Sequence, residues 1–312
     1  MPSRVLVTGG AGFIGSHLAD GLLALGHEVA VVDNLSTGRR EQVPAGSRFC
    51  EVDIRERDPL GRLFASFRPR VVYHLAAQTS VRRSTENPAG DASVNVLGTI
   101  NVLDAAVKAG VERLVYVSSG GAIYGEPEAL PVPEDHPVRP LSPYGLSKYV
   151  GEEYLGLFRQ TYGLSYSVLR YPNVYGPRQD PFGEAGVVAI FTRALLEGRQ
   201  PVIFGDGLQT RDYVYVGDIV AASLLCLEKG EGGTYNLGWG QEVTVVDLLA
   251  QLQKVLGTAI TPRHDPPRPG EVRRICLDAG RARAELGWQP VVALPEGLEL
   301  TARWICEQSR KG

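Results

Sequence analysis

The sequence predicts an α/β protein built on a doubly wound parallel sheet. Short apolar segments alternate with longer stretches of helical periodicity through the first half of the 312-residue chain. This alternation is typical of parallel strands covered by helices on both faces. Apolar spacing indicates helices over Ile14–Leu25 and Val94–Ala109. The predicted strands are Val5–Val7, Val29–Val32, Phe49–Val52, Val71–Leu75, Leu114–Val117 and Tyr166–Arg170.

A change in composition near Pro172–Pro181 predicts a second, smaller α/β domain. Prolines and glycines there separate the last predicted strand from the rest of the chain. We expect residues 1–171 to form the first domain and residues 172–312 the second. The two are expected to interleave, with part of 210–250 rejoining the first.

Composition and charge exclude several classes of protein. The 44% hydrophobic and 21% charged fractions are ordinary for a globular chain. A net charge of −3 gives no field that attracts nucleic acid or acidic membranes. The four cysteines form no CxxC pair, so no disulfide framework or metal site is expected. The N-terminal segment lacks a secretory pattern and no apolar run has membrane-spanning length, so we expect a cytoplasmic protein.

A glycine-rich turn follows the first predicted strand. Gly9, Gly12 and Gly15 form a G-x-x-G-x-x-G run that opens the first helix. Glycines let the backbone approach a pyrophosphate closely, and the N-terminus of a helix favours its negative charge. The turn therefore predicts a Rossmann-like dinucleotide site.

The second and third strands indicate which dinucleotide binds. Asp33 ends the second strand at the position of a carboxylate that binds an adenosine ribose, which favours NAD over NADP. Arg39 and Arg40 keep NADP as an alternative, because arginines could neutralise a 2′-phosphate. Asp53 and Ile54, after the third strand, are expected beside the adenine.

Tyr144 and Lys148 form a candidate reactive pair. Their i, i+4 spacing places them on one helix face. We expect the ammonium to lower the pKa of the tyrosine, which would make a phenolate base accessible. A Tyr-x-x-x-Lys pair alone is common on helix surfaces, but here it follows a dinucleotide motif.

With these motifs in this order, the chain resembles the extended short-chain dehydrogenases/reductases, and in particular the UDP-glucose 4-epimerase family. The resemblance runs from Arg4 almost to the C-terminus. Its more specific segments are HLAAQTSV at His74–Val81, VNVLGTINVL at Val94–Leu103, RYPNVYGPRQ at Arg170–Gln179, TRDYVYVGD at Thr210–Asp218 and RPGEV at 268–272.

The resemblance implies an NAD-dependent isomerase that oxidises a UDP-hexose transiently at its 4-position, with Tyr144 and Lys148 catalytic. It implies that Arg211 and Arg268 bind the diphosphate and that Glu271 binds the uridine ribose. It also implies a homodimer built on the helices around Val94–Ala109 and Tyr149–Gln160. The expected NAD-site residues are Gly9, Gly12, Phe13, Ile14, Gly15, Asp33, Asn34, Ser36, Thr37, Gly38, Asp53, Ile54, Leu75, Ala76, Ala77, Asn95, Ser118, Tyr144, Lys148 and Tyr171. The expected substrate residues are Ser119, Gly120, Asn173, Val202, Ile203, Phe204, Arg211, Arg268 and Glu271.

One position departs from the family pattern. Gly120 stands where the family usually has a Ser or Thr hydroxyl that assists proton transfer. Tyr144 is then expected to act directly, through water, or with Ser118 or Ser119. Gly120 and Gly121 also predict extra room for a bulkier sugar.

Three alternatives bear on the substrate and the chemistry. Gly121 and Ala122 replace the acid pair of the related dehydratases, which argues against dehydration. A UDP-glucuronate epimerase or decarboxylase shares the Tyr/Lys core and stays open, as does a non-catalytic NAD-binding sensor. Ile275 occupies a position where a large aromatic residue restricts N-acetylated sugars in the family, so we expect those sugars to be accepted.

Overall fold

A seven-stranded parallel sheet forms the centre of the protein in the computed structural model, which describes residues 2–182, 186–268 and 270–309. Six strands come from the first 171 residues of the chain, and a later one joins the edge. The strands, in their order across the sheet, are β11 (Thr234–Asn236), β6 (Ser165–Tyr171), β5 (Arg113–Ser119), β4 (Val71–His74), β1 (Arg4–Thr8), β2 (Glu28–Asp33) and β3 (Arg48–Glu51).

Helices cover both faces of this sheet. In chain order, the α-helices of the described residues are α1 (Phe13–Ala24), α2 (Arg57–Phe67), α3 (Val81–Glu86), α4 (Pro88–Ala92), α5 (Gly98–Ala109), α6 (Pro143–Tyr162), α7 (Val187–Leu196), α8 (Val216–Leu225), α9 (Val245–Leu256) and α10 (Leu294–Ser309). Successive residues of β1 point to opposite faces, as strand geometry requires. Val5 and Val7 pack with α1 and α8, whereas Leu6 packs with α2, α5 and α6. The predicted doubly wound α/β fold is confirmed.

One predicted helix has a different form. The segment Val94–Ala109 is not a single α-helix, because a π-helical turn at Ser93–Leu97 precedes α5. Asn95 lies in that turn and its side chain bonds three other segments, which accounts for a local widening of the helix.

The C-terminal half contributes to two bodies of structure. β11 pairs with β6 in the main sheet, and α8 packs on α1. A separate apolar cluster joins α7, α9 and α10. The smaller sheets pair β7 (Asn173–Tyr175) with β10 (Tyr213–Tyr215), β9 (Thr210–Arg211) with β12 (Val243–Thr244), and β8 (Val202–Phe204) with β13 (Arg263–Asp265).

The described residues lack a membrane-spanning helix and a metal-binding cluster. None of their helices combines the length and apolar character that crossing a membrane needs. They also contain no group of three or more His, Cys, Asp or Glu side chains placed to hold a metal ion.

Candidate active site

The glycine turn lies between β1 and α1, and its backbone is close against the loop after β4. Gly9 has a φ of +70°, and a Cβ there would lie 2.7 Å from the Ala76 nitrogen. A Cβ on Gly15 would collide with the Gly9 carbonyl oxygen. No side chain caps α1 at Gly12, so the first-turn N–H groups at Phe13 and beyond face the turn. This is the geometry of an anion site at a helix N-terminus.

Asp33 fixes the conformation around this turn. Its carboxylate accepts hydrogen bonds from the Ala11 nitrogen at 3.0 Å and the Leu35 nitrogen at 2.9 Å. Burial raises the pKa of Asp33, and these two bonds oppose that shift. A Cβ on Gly38 would lie 2.8 Å from Asp33 Oδ1, so the loop folds closely over the carboxylate. Asn34, Ser36 and Thr37 are exposed residues of the same loop.

Both arginines that could accept a 2′-phosphate have other contacts. Arg39 pairs with Asp180 at 2.9 Å. The Arg40 guanidinium stacks over the Phe49 ring, 4.1 Å from its centroid. These contacts favour a 2′-hydroxyl over a 2′-phosphate beside Asp33.

The predicted adenine residues differ in environment. Both Asp53 oxygens bond Arg55, which lowers the pKa of that carboxyl, and one also accepts from Asn34 at 2.8 Å. Ile54 is 5% exposed and packs where Gly98 has no side chain. Asp53 therefore stands at the rim, and Ile54 belongs to the core beneath it.

The remaining predicted cofactor residues surround the carboxyl ends of the central strands. Leu75, Ala76 and Ala77 follow β4 and are partly buried. Ser118, on β5, is 2% exposed, and its hydroxyl has no hydrogen-bond partner among the described residues. Tyr171, at the end of β6, is 5% exposed, with its hydroxyl 2.7 Å from Ser223 Oγ.

Tyr144 and Lys148 lie one turn apart on α6, as predicted, but their electrostatics differ from expectation. Burial raises the pKa of Tyr144, so the prediction that the ammonium lowers it is wrong for the ligand-free protein. Lys148 is 3% exposed, and burial lowers its pKa to about 7. Its Nζ lies over the Tyr116 ring, 4.3 Å from the centroid, so this aromatic face is one of its close contacts.

Ser119 supplies a hydroxyl at the reactive tyrosine. Its side chain interacts with Tyr144 and opposes the rise in the pKa of that phenol. The expectation of extra room at Gly120 is wrong, because a Cβ there would overlap the Leu277 side chain. Gly121 is open, with Asn173 Oδ1 3.7 Å from where its Cβ would be.

A buried histidine links the glycine turn to the π-helical turn. His74 Nδ1 lies 2.7 Å from Thr8 Oγ1, and Nε2 lies 3.0 Å from Thr99 Oγ1. Thr99 donates its own proton to the Asn95 carbonyl, so His74 donates from Nε2 and accepts at Nδ1. Burial lowers the pKa of His74 to about 3, which leaves the ring neutral.

The predicted diphosphate residues come together at the other side of the cleft. Glu271 lies between two arginines, 3.8 Å from Arg211 Nη2 and 3.7 Å from Arg268 Nη1. The Arg268 guanidinium also lies 3.8 Å from the centre of the Phe204 ring. Two guanidinium groups share one carboxylate, so the cluster keeps one excess positive charge for an anion.

The other substrate residues occupy the strands behind this cluster. Val202 and Ile203 precede Phe204 on β8, and Ile203 is 1% exposed and therefore part of the core. Asn173 begins β7, and its nitrogen donates to the Asp212 carbonyl at 3.0 Å. Asn173 thus lies between the segment near Tyr144 and the arginine cluster, which consists of Arg211, Arg268 and Glu271.

Comparison with known proteins agrees with this geometry. The NAD dependent epimerase/dehydratase family matches residues 5–238. The chain belongs to that family. A UDP-glucose 4-epimerase of Mycolicibacterium smegmatis is 49% identical over 313 residues, covering 98% of this chain and 100% of that protein.

Two solved structures extend the family comparison. The UDP-glucose 4-epimerase of Thermotoga maritima, solved with UDP-glucose, has a TM-score of 0.97 at 48% identity and covers 98% of this chain and 99% of its own. The UDP-glucose 4-epimerase of Thermus thermophilus, solved with NAD, has a TM-score of 0.93 at 49% identity and covers 97% of this chain and 99% of its own.

The residues of this chain fit the cofactor of an NAD-dependent epimerase/dehydratase. The absence of side chains at Gly9 and Gly15 leaves a cradle against the uncapped end of α1. The Asp33 carboxylate adds a hydrogen-bond acceptor for the ribose. Ser118 adds a buried hydroxyl that has no hydrogen-bond partner among the described residues. These features correspond to a pyrophosphate, a ribose and a polar ring substituent, respectively.

Several residues near the family site were not found from the sequence. Asp91 and Gln78 bond Asn95 beside α6, and Leu277 closes the space at Gly120. The i, i+4 spacing of Asp91 and Asn95 was a usable signal, because it places both on one helix face. No sequence pattern connects Leu277 with Gly120.

Proposed function

We propose that this chain interconverts UDP-glucose and UDP-galactose by transient oxidation at the sugar 4-position, with NAD as its bound cofactor. The observation that carries the proposal is the Tyr144–Lys148 pair on one turn of α6, with Lys148 3% exposed, together with the cluster of Arg211, Arg268 and Glu271 that can hold a diphosphate. Two solved relatives support the proposal, because one was solved with UDP-glucose and the other with NAD.

The cofactor end of the cleft is proposed to hold NAD through the glycine turn. The first-turn N–H groups of α1 bind the pyrophosphate, and Asp33 accepts from the adenosine ribose. When bound, NAD supplies the acceptor and donor of hydride for carbon 4 of the sugar. Lys148 is proposed to bond the second ribose and to present positive charge near Tyr144.

Tyr144 is proposed to hold and move the proton of the sugar 4-hydroxyl. Burial raises the pKa of Tyr144 in the ligand-free protein, so the phenol keeps its own proton until the cleft is filled. Added positive charge near the oxygen lowers that pKa and makes the phenolate able to accept a proton. Ser119 donates to the phenolate oxygen or passes the proton between sugar and tyrosine.

The substrate end of the site is proposed to hold UDP in place while the hexose rotates to present its other face. Arg211 and Arg268 bind the diphosphate, and Glu271 moves from between them to the uridine ribose. Phe204 supplies an apolar wall for the base. The open position at Gly121 leaves space for the oxidised sugar to present its other face to the same tyrosine.

Chromatographic separation of UDP-glucose from UDP-galactose tests the proposal. The purified protein is incubated with UDP-galactose and catalytic NAD, and we expect both sugars to approach equilibrium. Tyr144→Phe is expected to lose at least a hundredfold in rate, within the usual range for general acid–base catalysis of about 10²–10⁴. Tyr162→Phe is the matched control, because that tyrosine is exposed at the far end of the same helix.

Two other outcomes distinguish the alternatives. Turnover of UDP-glucuronate without turnover of the neutral sugars would assign a uronate epimerase or decarboxylase. Retention of NAD with no turnover of either sugar class would assign a non-catalytic sensor.

Acceptance of N-acetylated sugars is a finer proposal about the same site. Ile275 is 2% exposed and packs with Tyr124 and Leu277 behind the wall that carries Ser119. An aliphatic side chain there takes less space than an aromatic one. We expect turnover of UDP-N-acetylglucosamine, and no turnover beside active UDP-glucose would reject this proposal.

We also propose a homodimer through α5 and α6. Leu97, at the start of α5, and Leu146 and Leu157, on one face of α6, are 57%, 52% and 53% exposed. Such apolar side chains on adjacent helices favour burial against a second copy. Light scattering is expected to give twice the chain mass, and Leu157→Glu is expected to give a monomer.

A further inference from the structure

A buried carboxylate lies behind the reactive pair. Asp91 is on α4, which packs against α6, and it is 2% exposed. Such burial of a carboxylate is rare unless the charge has a partner or a function.

Only one oxygen of Asp91 is used in hydrogen bonds. Oδ1 accepts from Gln78 Nε2 at 2.8 Å and from Asn95 Nδ2 at 3.1 Å. Oδ2 is buried without a hydrogen-bond partner in the part of the chain that the structure describes. A carboxylate that leaves one oxygen unpaired in the protein interior projects its negative charge into its surroundings.

Hydrogen bonds fix Asp91 relative to the helix of the reactive pair. The Asn95 amide that bonds Asp91 also lies 3.0 Å from Ser147 Oγ. Ser147 in turn donates to the Tyr144 carbonyl at 3.0 Å. The carboxylate therefore has a fixed position beneath the turn of α6 between Tyr144 and Lys148.

Two carboxylates favour the ammonium form of Lys148, Glu152 more strongly than Asp91, but the charge of Glu152 is offset by an arginine. Glu152, one turn further along α6, is paired through both oxygens with Arg170 at 3.1 and 2.6 Å. The remaining titratable side chains that face the site are Tyr144 from α6, Tyr116 from β5 and the neutral His74 from β4. Among the described residues no salt bridge involves Asp91, so its charge is not cancelled by a nearer cation.

We propose that Asp91 is a positioning residue for the epimerase reaction, which holds a negative charge behind the Tyr144–Lys148 pair and favours the ammonium form of the Lys148 side chain. Burial alone favours the neutral amine, and Glu152 and Asp91 both act against it. The same charge disfavours a second negative charge on Tyr144, so the phenolate forms only when the cleft adds positive charge. Asp91 thereby biases the pair toward charged lysine and neutral phenol before substrate is bound.

NMR titration of Lys148 in the ligand-free protein tests this inference directly. Lysine is labelled at its side-chain carbon and nitrogen, and the Lys148 signal is assigned by its loss in Lys148→Met. We expect Asp91→Asn to move the Lys148 titration downward from about 7 by roughly one pH unit, because the opposing negative charge is gone. Asp104→Asn is the control, since that carboxylate is paired with Arg57 and Lys108 on the surface of α5.

A second readout uses turnover, and this part rests on the proposed function. The alkaline limb of the kcat profile, where Lys148 loses its proton, is expected to move by about the same amount in Asp91→Asn. The KM for the UDP-sugar is expected to stay within about twofold of the wild-type value, because Asp91 does not contact the cluster of Arg211, Arg268 and Glu271. Since the NMR titration needs no substrate, failure of the proposed function and failure of this inference are distinguishable.

Two results would overturn the inference. One is a folded Asp91→Asn protein whose Lys148 titrates as in the wild type. If that variant does not fold, Asp91→Glu keeps the charge and is titrated in its place. If Lys148 in Asp91→Glu titrates as in the wild type, the result supports the role of the charge. A downward shift as large as that expected for Asp91→Asn rejects that role.

Discussion

The Leu277 side chain occupies the space that a side chain at position 120 would need. A Cβ on Gly120 would overlap Leu277 Cδ1 and lie 3.1 Å from Cδ2. Leu277 itself is held by the buried Asp212 carboxylate, which accepts from its backbone nitrogen at 3.1 Å. The glycine therefore reflects packing between two distant segments, and the hydroxyl that acts on Tyr144 belongs to the preceding residue, Ser119.

Restoring a family-type hydroxyl at position 120 is expected to harm the protein. Gly120→Ser forces the Leu277 side chain to move, and overpacking of this kind costs about 1–3 kcal/mol of stability. We expect a lower thermal midpoint and lower kcat, with partial recovery in Gly120→Ser/Leu277→Ala. Gly121→Ala is the control for the thermal midpoint only, because its Cβ would meet only Asn173 Oδ1 at 3.7 Å. Wild-type stability in Gly120→Ser would show that Leu277 moves freely.

Removal of the Ser119 hydroxyl is expected to slow turnover without weakening substrate binding. Ser119 interacts with Tyr144 and opposes the rise in its pKa. Ser119→Ala should therefore lower kcat by roughly ten- to a hundredfold, and its acid limb should move to higher pH. Ser119→Thr keeps the hydroxyl and is expected to retain most of the rate. An equal loss in both variants would assign the effect to packing at this position.

The regular parts of the fold could be predicted because their signals are local. The alternation of buried strands and amphipathic helices placed β1 to β6, and the i, i+4 spacing placed Tyr144 and Lys148 on one helix. The glycine turn was found for the same reason, since its conformation depends on adjacent residues. The π-helical turn within the predicted helix Val94–Ala109 was missed, because it depends on hydrogen bonds from the Asn95 side chain to residues of other elements.

The electrostatics of the site could not be predicted from spacing. The sequence placed an ammonium near a tyrosine, but the sign of the shift in the tyrosine pKa depends on how deeply the surrounding elements bury this face of the helix. Burial raises the pKa of Tyr144 and lowers that of Lys148, and both effects come from the packing of α4, α5 and the sheet around α6. Contacts such as Leu277 with Gly120 have the same long-range origin.

His74 is expected to make the protein less stable in acid. The pKa is about 3 in the folded state and 6.5 for an ordinary histidine, so between these values only the unfolded state binds the proton. Stability is fully present above pH 6.5 and falls as the pH falls, by at most about 1.4 kcal/mol per pH unit. Thermal midpoints of wild type and His74→Asn measured from pH 7 to pH 4 check this.

The comparison has a matched control. His264 is exposed, so His264→Asn is expected to keep the wild-type pH dependence. His74→Asn is expected to start from a lower midpoint but to lose less on acidification. Parallel curves for wild type and His74→Asn would contradict the assignment of a neutral, buried ring.

The two arginines of the substrate cluster are expected to act through binding of the diphosphate. Arg268→Ala and Arg211→Ala each remove a guanidinium that shares Glu271, and charge-assisted bonds of this type contribute about 1.5–3 kcal/mol. We expect the KM for UDP-galactose to rise by at least tenfold, with a smaller change in kcat. Arg273→Ala, which removes an exposed guanidinium paired with Asp206, is expected to leave KM unchanged. Equal effects in all three variants would assign a general charge effect.

The Glu152–Arg170 pair is expected to be the most sensitive ion pair for folding. Both side chains are 6% exposed, and Arg170 also donates to the Tyr124 hydroxyl at 2.6 Å. Glu152→Gln leaves the guanidinium buried without its counter-charge, which costs about 3–5 kcal/mol. Denaturant unfolding should show this loss, and Glu153→Gln, an exposed neighbour on α6, should show almost none.

Replacing both partners with apolar residues in Glu152→Leu/Arg170→Met is expected to recover much of the stability, because neither charge then remains buried. A loss below about 1 kcal/mol in Glu152→Gln would mean that water or Tyr124 compensates the arginine.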